Sequence, residues 1–301
     1  MNTDSIKGII VPLITPIDEN QIIDEARLRR IVDHVIEDGV HGILAYGSNS
    51  EFYCVEEEEM KRGLRIILDQ TKGRVPVLMG IGAIHTPVCV RIAKWAVEMG
   101  ADAISVLQPM FLKPTEEQLY RHFKTIAEAV PDKPMLLYNN PGRVGYTLSA
   151  KLVTRLAHTV PNIVGVKDTS GDMTLTTELI RQNRDIGFKV FGGKDTLVFA
   201  TLVSGGAGAV CSTANMVGPL VCSIYEKYMA GDIDGAREAQ FKLNPIRLSM
   251  DLASFPTGTK DLANLLGLDM GDPYLPNTST TGEALETMRQ RLIEGGYTVV
   301  K

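Results

Sequence analysis

Cysteine is scarce and scattered in this chain. Its four cysteines, Cys54, Cys89, Cys211 and Cys222, form no CxxC pair. Such spacing excludes a disulfide framework and predicts reduced thiols in a cytoplasmic setting. Histidine is equally thin. His34, His41, His85, His122 and His158 show no HExxH or other metal spacing, and three of them fall on predicted helices. No metal is therefore expected. Basic residues are not in excess: 31 Lys and Arg stand against 36 Asp and Glu, a net charge of −5. That balance lacks the electrostatic footprint of a nucleic-acid binder, although a few local cations can still dominate one pocket. A secretion signal is missing as well, since Pro12 interrupts the short apolar run after Lys7. One uncharged stretch, residues 197–225, is long enough to cross a bilayer. Gly205, Gly206 and Gly208 break its middle and Pro219 stands near its end, so it predicts a buried helix–strand–helix passage and no membrane contact.

What the chain does contain is a repeat of short apolar runs. Eight of them, rich in β-branched residues, occupy 8–11, 42–46, 76–81, 103–107, 135–138, 163–167, 189–191 and 208–211. Each meets Gly, Pro, Ser, Asn or Asp within a few residues, as strand ends do. Helical periodicity fills the gaps, for example over 25–37, 56–70, 86–99, 115–130 and 148–158. The acidic run Glu56–Glu59 suits the first turn of such a helix. The strand runs are continuously apolar, which fits strands covered on both faces. The predicted class is α/β, a (β/α)₈ TIM barrel over residues 1–230, with a C-terminal helical extension over 231–301 packed on it. A doubly wound open sheet fits less well, because the first strand is followed by Pro12-Leu13-Ile14-Thr15-Pro16 and not by a glycine-rich phosphate turn.

In such a barrel the chemistry lies at the C-terminal strand ends. The polar residues there are Thr15, Ser48, Asn49, Glu51, Tyr138, Asn139, Asn140, Lys167, Asp168, Lys194, Asp195, Ser212 and Thr213. Lys167 closes an otherwise apolar run. Alternation puts Ile163, Gly165 and Lys167 on one face and Val164 and Val166 on the other. With the valines against helices, Lys167 points into the barrel above the space left by Gly165. An amine withdrawn from water there can add to a carbonyl as a Schiff-base nucleophile. A strand-end lysine that merely reaches solvent is the competing reading. Tyr138 has the same position on strand 5, where a phenol can carry protons or simply fill the core.

Three motifs bring a resemblance. Leu137 to Gly145 reads LYNNPGRVG, Gly165 to Ser170 reads GVKDTS, and Gly47 to Phe52 reads GSNSEF. They resemble the tyrosine, lysine and strand 2 motifs of the dihydrodipicolinate synthase / N-acetylneuraminate lyase family, in the same order and over about residues 8–266. The resemblance implies a class I lyase or aldolase without metal or organic cofactor. Lys167 would condense with pyruvate or a pyruvate-yielding 2-oxo acid, and Tyr138 would relay protons. Ser48 and nearby backbone N–H groups would hold the substrate carboxylate. Asn49, Thr15, Gly192 and Ser212 would line the substrate, and Lys194 and Asp195 stand where its far end would lie. Arg143 occupies the position at which synthases of the family bind the carboxylate of the aldehyde, a pairing suited to guanidinium. A homotetramer, a dimer of dimers, is also implied.

The sequence departs from the synthase pattern in three places. Strand 2 carries Ser48, Asn49 and Ser50 in place of two threonines and a glycine. The paired tyrosines after strand 4, one of which crosses a subunit interface into the proton relay, are here Met110 and Phe111. Phe111 has no hydroxyl. These departures favour related chemistries: cleavage or dehydration of a 2-oxo-3-deoxy sugar acid, or a deamination. A metal-dependent barrel enzyme would need clustered ligands at the strand ends, where this sequence offers Glu51, Asp168 and Asp195 but no histidine, and a non-catalytic homologue would have little reason to retain both Lys167 and Tyr138.

Overall fold

The computed structural model describes residues 3–300. Eight parallel strands close into a barrel in sequence order: β1 (Gly8–Pro12), β2 (Gly42–Ala45), β3 (Val77–Ile81), β4 (Ala103–Leu107), β5 (Met135–Asn139), β6 (Ile163–Asp168), β7 (Lys189–Gly192) and β8 (Gly208–Val210). β1 pairs with both β2 and β8, which completes the ring. This is the (β/α)₈ barrel, and the strands lie where the apolar runs predicted them. Helices α1 (Glu25–Glu37), α2 (Glu57–Thr71), α3 (Thr86–Glu98), α4 (Glu116–Glu128), the single turn α5 (Pro141–Val144), α6 (Ala150–Thr159), α7 (Met173–Asn183), α8 (Val198–Val203) and α9 (Gly218–Met229) connect them. Their starts are marked by side chains that accept orphan backbone N–H groups: Asp24 for α1, the Thr115–Gln118 capping box for α4, Ser149 for α6 and Asp172 for α7. The uncharged span 197–225 is α8, β8 and α9, and among the described residues no helix is long and apolar enough to cross a membrane.

Alternation along the strands sorts side chains into two cores. Ile10, Leu44, Leu78, Leu136, Phe191 and Val210 fill the barrel interior, while Ile9, Val11, Ile43, Val77, Leu137 and Val190 pack against the helices. Strand β6 breaks the simple pattern. Met135 pairs with Ile163 but Leu136 pairs with Gly165, so one extra residue bulges at Val164. The expected faces of Ile163 and Val164 are therefore exchanged: Ile163 joins the outer core and Val164 packs on the interior one. The bulge precedes Gly165, so Lys167 keeps the inward position that alternation predicts, in register with Tyr138. At Gly165 a Cβ would come within 2.4 Å of the Lys189 carbonyl oxygen and 2.8 Å of Leu136 Cδ2. Only glycine fits there.

Beyond α9 come α10 (Ile233–Ser249), α11 (Thr257–Leu265) and α12 (Gly282–Glu294). α10 lies along α9, and α12 packs on α10 and α11. α11 is buried on nearly all sides, including the polar Thr257, Thr259, Lys260 and Asp261. A buried helix with so many polar residues needs partners, and it finds them at the C-terminal mouth of the barrel.

Candidate active site

β5 and β6 hold Tyr138 and Lys167 side by side at the top of the barrel. Lys167 is 3% exposed, and its Nζ lies 4.0 Å from the centre of the Tyr138 ring. The Tyr138 hydroxyl is 3.3 Å from Ser48 Oγ and accepts a 2.8 Å hydrogen bond from Asn140 Nδ2. Burial pushes the Tyr138 phenol up. The Lys167 ammonium and the Ser48 hydroxyl push it down and prevail, so it sits below the ordinary phenol value. Lys167, Tyr138 and Ser48, expected from sequence to act together, are thus in one constellation. Asn140 is an addition. Sequence reasoning placed it at the strand end without a role, and its position two residues after Tyr138 gave no sign that its amide would turn back onto the phenol.

Ser48 opens a turn of 3₁₀ helix, Ser48–Ser50, directly after β2. The turn is held by the loop after β8 and by α11. Asn49 Nδ2 donates to Ser212 Oγ at 2.9 Å, and Thr259 Oγ1 donates to Asn49 Oδ1 at 2.8 Å. Glu51, fully buried with a left-handed backbone (φ 56°), ends the turn. Its carboxylate lies 2.9 Å from Lys260 Nζ and accepts the Tyr274 N–H at 2.9 Å. Lys260 also donates to the Asp272 carbonyl oxygen at 2.9 Å. Burial pushes Lys260 below the usual lysine value against the pull of Glu51.

The other strand-end acids are fastened. Asp168 accepts from Asn139 Nδ2, Ser170 N, Ser170 Oγ and Thr176 Oγ1, which locks the end of β6 to α7. Asp195 accepts from both the N–H and the hydroxyl of Thr213, each at 2.7 Å, and so joins the loops after β7 and β8.

Lys167 opens into a cavity of about 310 Å³ that Tyr138, Asn49, Ser212 and Arg143 also line. An outer chamber of about 470 Å³ continues it, walled by Met250, Phe255, Thr259 and their neighbours from the C-terminal region. Arg143 reaches this mouth from α5, exposed, its guanidinium carbon 4.2 Å from the Phe255 ring centre. Two of the expected residues, Gly192 and Thr15, are not among those that line this cavity. At Gly192 a Cβ would point to α8, meeting Thr201 Oγ1 at 2.6 Å. Of the adjacent pair Gly192 and Gly193, it is Gly193 that lines the cavity, where a Cβ would come 2.1 Å from Thr169 Oγ1, and two adjacent glycines gave the sequence no means of choosing. Thr15 is buried after β1 and is not among the residues that line the cavity. Sequence reasoning also missed Arg247, Phe255 and Thr259, which belong to the stretch assigned to packing alone.

The sequence profile of the dihydrodipicolinate synthetase family matches residues 5–294. The chain is 37% identical over 289 residues to the 4-hydroxy-tetrahydrodipicolinate synthase of Thermus thermophilus, covering 95% of this chain and 96% of that one. It is 34% identical over 288 residues to the enzyme of the same name from Methanopyrus kandleri, covering 95% of both. Among solved structures, dihydrodipicolinate synthase from Aquifex aeolicus superposes with a TM-score of 0.94 at 28% identity, covering 98% of this chain and all of that one. A prophage protein of the same family from Escherichia coli, solved in complex with pyruvate, gives 0.93 at 28% identity, covering 97% and 99%. With its barrel closed and its profile match nearly end to end, the chain belongs to the dihydrodipicolinate synthetase family.

Proposed function

We propose that this protein is a Schiff-base lyase acting on pyruvate or a pyruvate-yielding 2-oxo acid. The observation that carries the reading is Lys167 itself, buried at a strand end with Nζ against Tyr138 and the phenol held by Ser48 and Asn140. Lys167 Nζ, as the free amine, adds to the keto carbon, and the resulting carbinolamine loses the former carbonyl oxygen as water. The iminium so formed draws electrons from the adjacent carbon, which surrenders a proton and becomes the nucleophilic end of an enamine. Attack on an aldehyde forms a carbon–carbon bond, and water then releases product and regenerates Lys167. In the opposite direction the same iminium takes up the electron pair of a breaking carbon–carbon bond. Tyr138 stands within reach of each proton transfer, and its lowered pKa suits a group that both gives and takes one. Ser48 holds the phenol and the substrate carboxylate. Each step needs only these side chains and water, and no cofactor.

Two reactions share this route. Synthesis from pyruvate and an aldehyde carrying a carboxylate is supported by Arg143 at the cavity mouth and by the relatives named 4-hydroxy-tetrahydrodipicolinate synthase. Cleavage or dehydration of a 2-oxo-3-deoxy sugar acid is favoured by Phe111, which offers no hydroxyl to a relay. Incubation with pyruvate followed by borohydride reduction tests what both share. The expected result is a reduced pyruvate adduct on Lys167, formed in the presence of EDTA and lost in Lys167→Ala. No adduct with pyruvate or any other 2-oxo acid would overturn the reading, and activity abolished by EDTA would favour a metal enzyme. Pyruvate consumption with aspartate semialdehyde, against pyruvate release from a 2-oxo-3-deoxy sugar acid, separates the two reactions.

The proposal extends to assembly as a homotetramer in the cytoplasm. Phe111 is 98% exposed on a left-handed backbone (φ 71°), and Leu112 beside it is exposed. An apolar groove of about 410 Å³, lined by Phe52, Tyr53, Ile84, Val88 and Met110, lies on the same side. Exposed apolar surface of this kind is commonly covered by a partner. The four free thiols, three of them buried, fit a reducing compartment. Sedimentation reads the assembly: Phe111→Asp should shift the protein toward smaller species, and an unchanged profile would remove this patch from the interface.

A further inference from the structure

Gln108 is not among the residues that line the cavity, yet it is wholly buried directly after β4 and uses both ends of its side chain. Its Oε1 accepts the Asn140 N–H at 3.0 Å, and its Nε2 donates to the Tyr146 carbonyl oxygen at 2.6 Å. Both partners are backbone groups of fixed polarity, so the amide can face only one way. The Gln108 N–H donates to the Tyr138 carbonyl oxygen at 3.2 Å. The Tyr146 hydroxyl closes the ring by donating to the Pro109 carbonyl oxygen at 2.8 Å. Gln108 thus holds the backbone of Tyr138 and of Asn140, the two residues whose side chains meet at the phenol.

Asn140 shows what this hold achieves. It is the N-cap of α5, and its carbonyl oxygen accepts from the Arg143 and Val144 N–H groups. Asparagine is favoured at that place because its side chain ordinarily accepts a backbone N–H of the first turn. Here the side chain makes no such bond. It turns back and donates to the Tyr138 hydroxyl oxygen at 2.8 Å. The backbone angles of Asn140, φ −136° and ψ 72°, are those of neither helix nor strand, and Pro141 after it narrows the alternatives. Gln108 supplies the partner that the Asn140 N–H needs in that conformation. An amide N–H can only donate. It supports a phenolate and has no acceptor for the phenol's proton, which leaves that proton to Ser48 Oγ, able to accept or donate.

We propose that Gln108 is a positioning residue for proton transfer: by fixing the Asn140 backbone it aims the Asn140 amide at Tyr138, which favours the proton-accepting phenolate and directs the phenol's proton to Ser48. The inference rests on the Schiff-base reading of Lys167 and adds a control on its proton traffic. The charged groups that share the cavity with the phenol are Lys167 on β6, Arg143 on α5, Lys194 and Asp195 after β7, and Arg247 on α10. All of them remain when Gln108 or Asn140 is replaced by an apolar side chain, so a change in pH dependence reads the amides alone.

Deuterium exchange at the methyl group of pyruvate tests this on the full-length protein without a second substrate. The Lys167 iminium loses a methyl proton to Tyr138 and regains a deuteron from D2O, and proton NMR follows the loss of signal across a range of pH. In the wild-type protein, exchange should rise with pH as Tyr138 gives up its proton. Asn140→Leu and Gln108→Met should each move that rise upward by about one pH unit, which is tenfold slower exchange at a fixed pH below it. The high-pH plateau and the half-saturating pyruvate concentration should change by less than about twofold, since neither amide is asked to bind pyruvate. The double variant should shift no further than the larger single shift, because Gln108 acts through Asn140. Gln108→Thr, too short to reach either backbone partner, takes the place of Gln108→Met if that variant does not fold. An unmoved or lowered profile in either single variant would overturn the positioning role. So would a loss equal at every pH, or shifts that add in the double variant. Borohydride trapping in the same samples keeps the two claims apart. No wild-type adduct with pyruvate or any other 2-oxo acid defeats the Schiff-base reading. A wild-type adduct without exchange, or with exchange whose pH dependence the variants leave alone, defeats only the role of Gln108.

Discussion

The molecule buries two lysines at the mouth of its barrel and treats them in opposite ways. Lys260, 1% exposed, is saturated: Glu51 lies 2.9 Å from its Nζ, and the Asp272 carbonyl accepts from it. Lys167, 3% exposed, has no carboxylate partner among the described residues and lies over an aromatic ring beside a hydrogen-bonded phenol. Burial alone therefore does not mark a reactive amine. Lys260 is a strut that pins the turn after β2 to α11, and its ammonium is held where it is. Lys167 is left with a ring face and an open cavity, where nothing prevents its nitrogen from meeting a substrate carbonyl. A buried ion pair is costly to break but need not be strongly stabilising, whereas an unpaired buried cation costs stability from the start. Tolerating the second kind makes sense where function requires it.

The sharpest break of that comparison is at Lys167. Lys167→Ala should abolish the trapped adduct and lower turnover by about four orders of magnitude or more, read by mass spectrometry and single-turnover kinetics. Tyr138→Phe comes next, with turnover down about 10²- to 10⁴-fold while the adduct still forms slowly. If Tyr138→Phe were as fast as the native enzyme, the phenol would be a packing residue like many others.

Stability then separates the lysines by sign. Lys260→Met strands the Glu51 carboxylate in the core and should cost about 3–5 kcal/mol in denaturant unfolding. Adding Glu51→Gln should restore part of that loss. Lys167→Met replaces an unpaired buried amine with an apolar side chain of similar length, and should be neutral or raise stability by about 0.5–2 kcal/mol. Equal destabilisation by the two substitutions would mean that Lys167 has a structural anchor as strong as that of Lys260.

Only one of the two lysines was legible before the structure. Lys167 interrupts a continuous apolar strand and is followed by Asp168, a local signal that survives in the linear sequence. The eight strands were legible for the same reason, since buried parallel strands are apolar without interruption. Lys260 was not. Its partner Glu51 lies on β2's loop, and Thr259 bonds Asn49 across 210 positions. Such pairings leave no periodicity in either segment, so the tail from α10 onward read as packing although it walls the site. The bulge at Val164 was hidden too, because a β-branched run looks the same with or without an extra residue. Asn140 was visible as a strand-end polar residue, but its role depends on the side chain folding back over two residues, which composition does not encode.

That amide bears on the smallest predicted effect, at Phe111. The sequence departs there from relatives with a tyrosine, and the missing hydroxyl suggests a relay cut short. In the structure the Tyr138 oxygen already has two partners, Ser48 Oγ at 3.3 Å and Asn140 Nδ2 at 2.8 Å. A phenolic oxygen accepting from an amide and paired with a hydroxyl has little capacity for a third strong bond. Phe111 itself is almost wholly exposed in the single chain, so a hydroxyl added to it could reach a Tyr138 only in a partner subunit. Phe111→Tyr should therefore change turnover by less than about threefold, because the new oxygen arrives at a phenol that is already occupied. Asn140→Ala removes the amide and vacates that place, and in this background Phe111→Tyr should recover part of the activity lost. A rise of tenfold or more from Phe111→Tyr alone would show that the amide does not fill the role of the absent hydroxyl. It would also show that the Lys167 side of the comparison is held back by its proton traffic and not by its amine.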